Sequence, residues 1–225
     1  MLVFRKLSLI MFCTVLLSLL SGCINKQSPV EKMYETLEKV VLLEKSFEEQ
    51  QDPLVKLENE EQIIYEKIIS LGMKEADEIK KLADDALAIV EQKKAHLEKE
   101  QESLTASKAE FETISLLIEE IKETELKDKA SELNNIMMER YSVYEELHNQ
   151  YTGALQLDKD LYAMFKEETP VLEQLQDQIT KINEKYKEVL LSSERFNETT
   201  KQYNETKLSF YEESGMDINV EEGES

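Results

Sequence analysis

The sequence predicts an all-α protein: an elongated, antiparallel, up-and-down helical bundle with coiled-coil-like seams, behind a cleavable leader. Three observations predict it. The 225 residues include only five glycines, three prolines and no tryptophan, so the chain has few places to turn. Apolar residues recur at spacings of three and four over most of the length, which is the period of one helix face. No segment alternates apolar and polar residues convincingly, as a half-buried strand would.

The chain opens on a leader covering residues 1–22. Arg5 and Lys6 give it a positive start, and Leu7 to Leu20 form a mostly apolar run that falls short of the roughly 20 residues needed to cross a bilayer. The run closes on Leu20-Ser21-Gly22-Cys23. Small residues ahead of a cysteine at this position look like a bacterial lipobox, in which the thiol takes a diacylglyceryl group before cleavage between Gly22 and Cys23. Cys23 would then be the first residue of the mature chain, its amine open to a further acyl group, with residues 23–28 as lipid attachment and short linker. Two acyl chains hold a protein to a bilayer stably where one holds it marginally, at about 0.8 kcal/mol per buried methylene. Cys13 leaves with the leader, so no disulfide, thiolate nucleophile or cysteine metal ligand is expected.

Each proline follows a residue suited to the N-cap: Ser28-Pro29, Asp52-Pro53 and Thr169-Pro170. Proline fits the first helical position, where its missing N–H has no partner to lose, and Ser28 with Glu31 adds a capping box. Each proline is therefore read as a helix start. A first stretch carries Val30, Met33, Leu37, Val40 and Phe47, a break or sharp kink is expected at Asp52-Pro53, and a second stretch carries Leu54, Leu57, Ile64, Ile68 and Leu71 up to a turn near Gly72.

From Ala76 the pattern is heptadic, with Ala83, Val90, Leu97, Leu104, Phe111 and Ile118 each seven residues apart. A period of seven specifies a left-handed supercoiled contact, and one continuous helix is expected from Ala76 to Ile118. The companion positions are apolar at both ends (Ile79, Ala86, Ile114, Ile121) but polar at the centre, where Lys93, Glu100 and Ser107 stand; this suggests looser packing there, or a hinge. After a charged turn near Thr124 to Asp128, a third seam runs from Ala130 to Phe165. A fourth repeats Leu175, Ile182, Val189, Phe196, Tyr203 and Phe210. The bundle is thus placed at residues 29–213, and residues 214–225 have the composition of an acidic flexible tail. Arms of about 40 to 50 residues at 1.5 Å per residue reach on the order of 60 to 75 Å, and short turns make an antiparallel arrangement the simplest way to bury four stripes.

Charge narrows the function. The chain carries 27 Lys and Arg against 48 Asp and Glu, a formal −21; removing Arg5 and Lys6 with the leader leaves 25 against 48, or −23. Nucleic-acid binding by phosphate neutralisation is excluded, and a basic patch for anionic lipid headgroups is absent. The lipobox, the short linker and four Glu/Lys-rich heptad helices together resemble the YkyA-like family of lipoproteins from Gram-positive bacteria, whose name records cell-wall binding. The likeness covers nearly the whole mature chain. It implies a helical bundle lipid-anchored at the outer face of the cytoplasmic membrane, an association with cell-wall material or another envelope protein, and no catalytic residue to carry over.

Catalytic and metal chemistry finds little support in the residues. Glu145-Glu146-Leu147-His148 contains Glu-x-x-His, half of a ferritin-like di-metal site, but a complete site needs a second such pair and two more inward glutamates. The other histidine, His96, has Lys93 three residues before it. A glycan hydrolase needs two carboxylates across a cleft, and an abundance of acidic residues designates no pair. No metal, cofactor or enzymatic activity is therefore expected; the competing reading is an enzyme whose site is built inside the bundle from Glu145, His148 and partner carboxylates. Tyr144, Tyr151, Tyr186 and Tyr203 fall on the seams as core residues. Tyr141, Tyr162 and Tyr211 sit at seam edges and are the candidates for exposed contacts, since aromatic rings stack on sugar faces. Arg140 and Asp158 occupy seam positions, where they are expected to snorkel or to pair across the bundle.

Overall fold

A computed structural model describes residues 27–72 and 75–216. The leader, Gly22 and Cys23 lie outside the described residues, as does the tail from residue 217 onward. Among the described residues five helices follow in order: α1 Pro29–Leu71, α2 Ala76–Phe111, α3 Ile114–Glu120, α4 Thr124–Phe165 and α5 Leu172–Glu213.

The start of α1 is the predicted capping box. The Glu31 amide donates to Ser28 Oγ at 3.1 Å, and the Ser28 amide donates to Glu31 Oε2 at 2.7 Å. The carboxylate also faces the positive end of the helix dipole. With 43 residues, α1 is about 65 Å long.

Pro53 does not break α1, contrary to the expectation from its Asp-Pro signal; it stands inside the helix. The reason is tertiary. Buried Val40 lies on one side of it and buried Leu54, Leu57 and Ile68 on the other, so one apolar stripe packs on α2 through the proline and offsets the roughly 3 kcal/mol a mid-helix proline costs. The helix does end at Gly72, whose φ of +60° is a conformation glycine adopts without the strain a side chain would bring. Its amide bonds back to the Ile69 carbonyl.

The heptad residues Ala83, Val90, Leu97, Leu104 and Phe111 of α2 are all buried. The single helix expected through Ile118 is interrupted at Glu112 and Thr113. Their backbones stay right-handed, but the Thr113 amide bonds to the Glu110 carbonyl at 3.2 Å and the Ser115 amide to the Glu112 carbonyl at 3.4 Å, a tightened three-residue pattern. The hydroxyls of Thr113 and Ser115 donate to the same two carbonyls at 2.7 and 2.9 Å, competing with the α-helical bonds. The apolar seam nevertheless passes through, because Ile114 and Ile118 remain buried. Two smaller boundaries also shift: the turn before α4 is at Ile121–Glu123, and α5 begins at Leu172, two residues beyond Pro170.

The helices pair as two hairpins, α1 with α2 and α4 with α5, joined where α2 packs on α4, while the short α3 touches both α1 and α4. Pro29, Glu120 and Leu126 meet at one end, where Tyr34 and Tyr211 stack with centroids 5.0 Å apart and Lys129 lies 3.9 Å from Glu213. At the other end Gly72 and Ala76 meet Phe165, Pro170 and Leu172. Backbones of α1 and α5 do not pack closely; side chains cross the groove between them. The apolar core is correspondingly divided. One cluster surrounds Met33, Phe111 and Phe210, a small middle one holds Leu104, Tyr144 and Phe196, and a third surrounds Ile68, Leu97 and Leu161.

Candidate functional site

Buried polar residues accompany those clusters: Lys93 lies within the one around Leu97 and Leu161, and Glu100 and Ser107 stand between neighbouring clusters. Lys93, Glu100 and Ser107, the polar companions on the α2 seam, are 1%, 4% and 0% exposed. Each meets a polar partner on another helix. Lys93 Nζ lies 2.6 Å from Glu61 Oε2 of α1 and donates to the Tyr186 hydroxyl of α5 at 3.2 Å. Tyr186 in turn donates to Asp158 Oδ2 of α4 at 2.5 Å. The ammonium also lies 5.8 and 5.7 Å from the ring centroids of Tyr151 and Tyr186, within cation–π range. One lysine thus ties all four long helices together.

A second knot lies nearer the end that holds α3. Arg140 grips Glu44 through Nη1 and Nη2, both at 2.9 Å, and donates from Nε to Thr200 Oγ1 at 2.8 Å. This fork-on-carboxylate geometry is the strong form of the pair. Ser107 donates to Glu44 at 2.7 Å and shares a 2.6 Å hydrogen bond with the Tyr141 hydroxyl. The guanidinium carbon stands 4.8 Å from the Phe196 ring centroid. Arg140 and Asp158 therefore pair across the bundle.

Between the two knots lies Glu100. It accepts one hydrogen bond, from Gln51 Nε2 at 2.6 Å. The Tyr144 hydroxyl is close enough to feel that carboxylate's charge yet forms no hydrogen bond of good geometry. Burial pushes the Glu100 carboxyl up to about 7, with the nearby Tyr144 hydroxyl and the Gln51 bond opposing. Asp158 is pushed up to about 6, by burial first and the Glu61 charge second, with the Tyr186 bond and Lys93 opposing. Burial likewise raises the tyrosine hydroxyls of Tyr151 and Tyr186 well above their ordinary range.

The groove between α1 and α5 widens over these residues into two cavities. One, of about 450 Å³, is lined by Glu58, Glu61, Lys93, Asp158 and Tyr186, with Tyr65 and Tyr162 among its walls. The other, of about 550 Å³, is lined by Phe47, Leu54, Leu97, Glu100, Tyr144 and Val189 among others. Pro53 lies within the stretch of α1, Phe47 to Glu58, that walls the second.

The three tyrosines expected to be exposed are not. Tyr141 is 2% exposed, Tyr162 3% and Tyr211 3%. α4 packs on both α2 and α5, so its buried stripe is wider than a seam against one helix and takes in the flanking Tyr141 and Tyr162. Tyr211 is covered by Tyr34 and donates to Glu38 at 2.8 Å. The pair Glu145 and His148 is not drawn together around a site: exposed Glu145 bonds Lys108 at 2.8 Å, and half-buried His148 lies beside the Tyr144 ring with its basicity lowered by burial. Among the described residues no group of three metal-ligating side chains converges. His96 faces Gln50 instead, at 2.8 Å.

The α1 partners, Glu44, Gln51 and Glu61, together with Glu58, which accepts from the Tyr151 hydroxyl, carry no motif in the sequence. A signal was present, since Glu44 and Glu61 stand where the three-and-four spacing of α1 calls for an apolar residue, after Val40 and Leu57.

Residues 28–213 match a family profile named YkyA and described as "Putative cell-wall binding lipoprotein". The chain belongs to the YkyA family. It is 36% identical over 207 residues to the "Uncharacterized lipoprotein YkyA" of Bacillus subtilis strain 168, a match that covers 92% of each chain. The YkyA bundle is also similar to the 1.6 Å crystal structure of a conserved protein of unknown function from Staphylococcus aureus. That match has a TM-score of 0.71 and 13% identity and covers 84% of this chain and 98% of the other; at that identity it shows the fold alone. Among the described residues of this YkyA member, no helix is long and apolar enough to cross a membrane.

Proposed function

We propose that this YkyA lipoprotein is a non-enzymatic stalk, anchored through lipid on Cys23 to the outer face of the cytoplasmic membrane, whose bundle engages cell-wall material or another envelope protein. One observation carries the reading: α1 begins at Pro29 under its own capping box, six residues after Cys23, at the end of the rod where α3 and the end of α5 also lie. A linker that short would hold this end at the bilayer and project the other about 65 Å outward. The buried charges support a structural role for the interior, since Lys93 and Arg140 bond to partners within the chain.

Two measurements test it. Cys23→Ser is expected to abolish acyl labelling and slow leader removal; a labelled variant, or a wild-type mature chain that begins elsewhere, refutes the anchor. Wall contact must also contend with charge, because the acidic chain meets teichoic acid phosphates with a repulsion screened over about 8 Å. Isolated walls stripped of teichoic acid should bind the mature chain better, and chelating divalent cations from intact walls should weaken binding. Loss of binding on stripping, with no effect of chelation, would overturn direct contact with glycan. Absence of binding to any wall preparation would leave a protein partner.

A further inference from the structure

We propose that the larger cavity between α1 and α5 is a binding site for an aliphatic primary ammonium, its charge held by Glu100 and Tyr144 and its stem lying along Leu54, Leu97 and Val189. The site is independent of the lipid anchor and of wall association. Its volume of about 550 Å³ is that of a small-molecule pocket, with apolar walls and a few convergent polar groups.

Two buried groups inside it are incompletely bonded. Glu100 is 4% exposed and accepts only the Gln51 hydrogen bond, whereas an ionised carboxylate has room for about four. The Tyr144 hydroxyl, on a residue also 4% exposed, lies near the Glu100 carboxylate without a hydrogen bond of good geometry. Buried polar groups of this kind are ordinarily satisfied, so a ligand that donates to both would complete them. An ammonium has three N–H donors and no acceptor: one or two can go to Glu100, and another to the oxygen of Tyr144.

The sign of the charge follows from the walls. Glu48 and Glu58 lie on the same α1 lining as Phe47. The cationic group in the lining, Arg140, is spent on Glu44 and Thr200, and His148 is held towards neutrality by burial. The rings of Phe47, Tyr144 and Tyr151 add faces that attract a cation. An anion would meet three carboxylates with no free counter-charge, and a purely apolar ligand would leave Glu100 and Tyr144 as they are. The stem has apolar cover within the cavity, and at its rim Val55 and Leu190 are more than half exposed.

The test uses the mature chain, whose three apolar clusters all lie within residues 29–213. Titration calorimetry with hexylammonium, hexanol and hexanoate compares one stem with three heads. Saturable one-to-one binding of hexylammonium is expected, with hexanol and hexanoate weaker by about tenfold or more. Glu100→Gln should weaken hexylammonium binding by about tenfold or more while leaving the helical circular dichroism unchanged. Should Glu100→Gln unfold the chain, Tyr144→Phe removes a hydroxyl that makes no hydrogen bond of good geometry in the free protein, and it should weaken hexylammonium binding severalfold without loss of fold. Equal binding of all three probes, no saturation by hexylammonium, or affinity unchanged in a folded Glu100→Gln or Tyr144→Phe chain would each overturn the site.

Discussion

Replacing Lys93 with methionine keeps most of the stem and removes the charge that joins the four long helices. Its Nζ lies 2.6 Å from Glu61, with the side chains 1% and 8% exposed, so the pair is largely shielded from bulk water. Removing one partner of a buried pair costs about 3 to 5 kcal/mol, because the remaining carboxylate is stranded. For a domain of this length each kcal/mol lowers the midpoint by roughly 2 to 4 °C, so a loss of about 4 kcal/mol predicts a fall on the order of 10 °C. Thermal and urea denaturation followed by helical circular dichroism would read it. The control is Lys159→Met, which breaks an ion pair of similar length, 2.7 Å to Glu91, whose partners are each about half exposed; it should leave the midpoint nearly unchanged. Combining Lys93→Met with Glu61→Met should recover much of the loss, since two apolar side chains replace two charges, and should give a coupling of about 2 kcal/mol or more. Equal effects of Lys93→Met and Lys159→Met, or strict additivity in the double variant, would refute the buried-pair account.

Acid should stabilise this fold through Glu100. Its folded pKa of about 7 stands above the ordinary 4.5, so between those values the native state holds a proton that the unfolded state has released, and stability falls as pH rises through this window. The contribution is on the order of 3 kcal/mol, and Glu100→Gln should flatten the wild-type stability profile between pH 4.5 and about 7; an unchanged slope would disprove it. Phe111→Asp puts a carboxylate at a fully buried position and should destabilise by about 4 kcal/mol or prevent folding, whereas Lys108→Asp, three residues away at a partly exposed position, should be mild. Similar denaturation midpoints for the two would mean that the seam faces the other way.

The seams were legible because burial leaves a periodic mark. Leu97, Leu104, Phe111, Leu175, Phe196 and Phe210 are at the heptad positions the sequence indicates, and all are buried. Local signals misled where tertiary packing outweighed them. Pro53 follows a good cap residue, yet the stripe on either side holds the helix together. The interruption at Glu112 and Thr113 leaves no gap in the heptad, because two right-handed residues with tightened hydrogen bonds keep Phe111, Ile114 and Ile118 on one side. The polar centre was visible as Lys93, Glu100 and Ser107 but read as weakness, since each was weighed against its own helix. Its meaning lies in pairs such as Glu44 with Arg140, 96 residues apart in sequence, and no single-helix pattern contains the partner. The tyrosines failed for a related reason: the width of the buried face depends on how many neighbours a helix has.

The buried charges bear on register. Heptad helices offer one another leucine after leucine, so a hairpin could slide by seven residues, about 10 Å, and still bury apolar side chains. On α4 the neighbours of Arg140 at that spacing are Leu133 and Leu147, and a slip in either direction would set one of them against Glu44 while carrying Arg140 away from its carboxylate. Lys93 and Tyr186 impose the same condition between α2 and α5. Polar joints of this kind are best attested as devices that select one alignment among many of similar apolar content. The two hairpins of this bundle thus have one offset at which every buried charge in these joints is met, and the α1–α5 groove has its present lining at that offset.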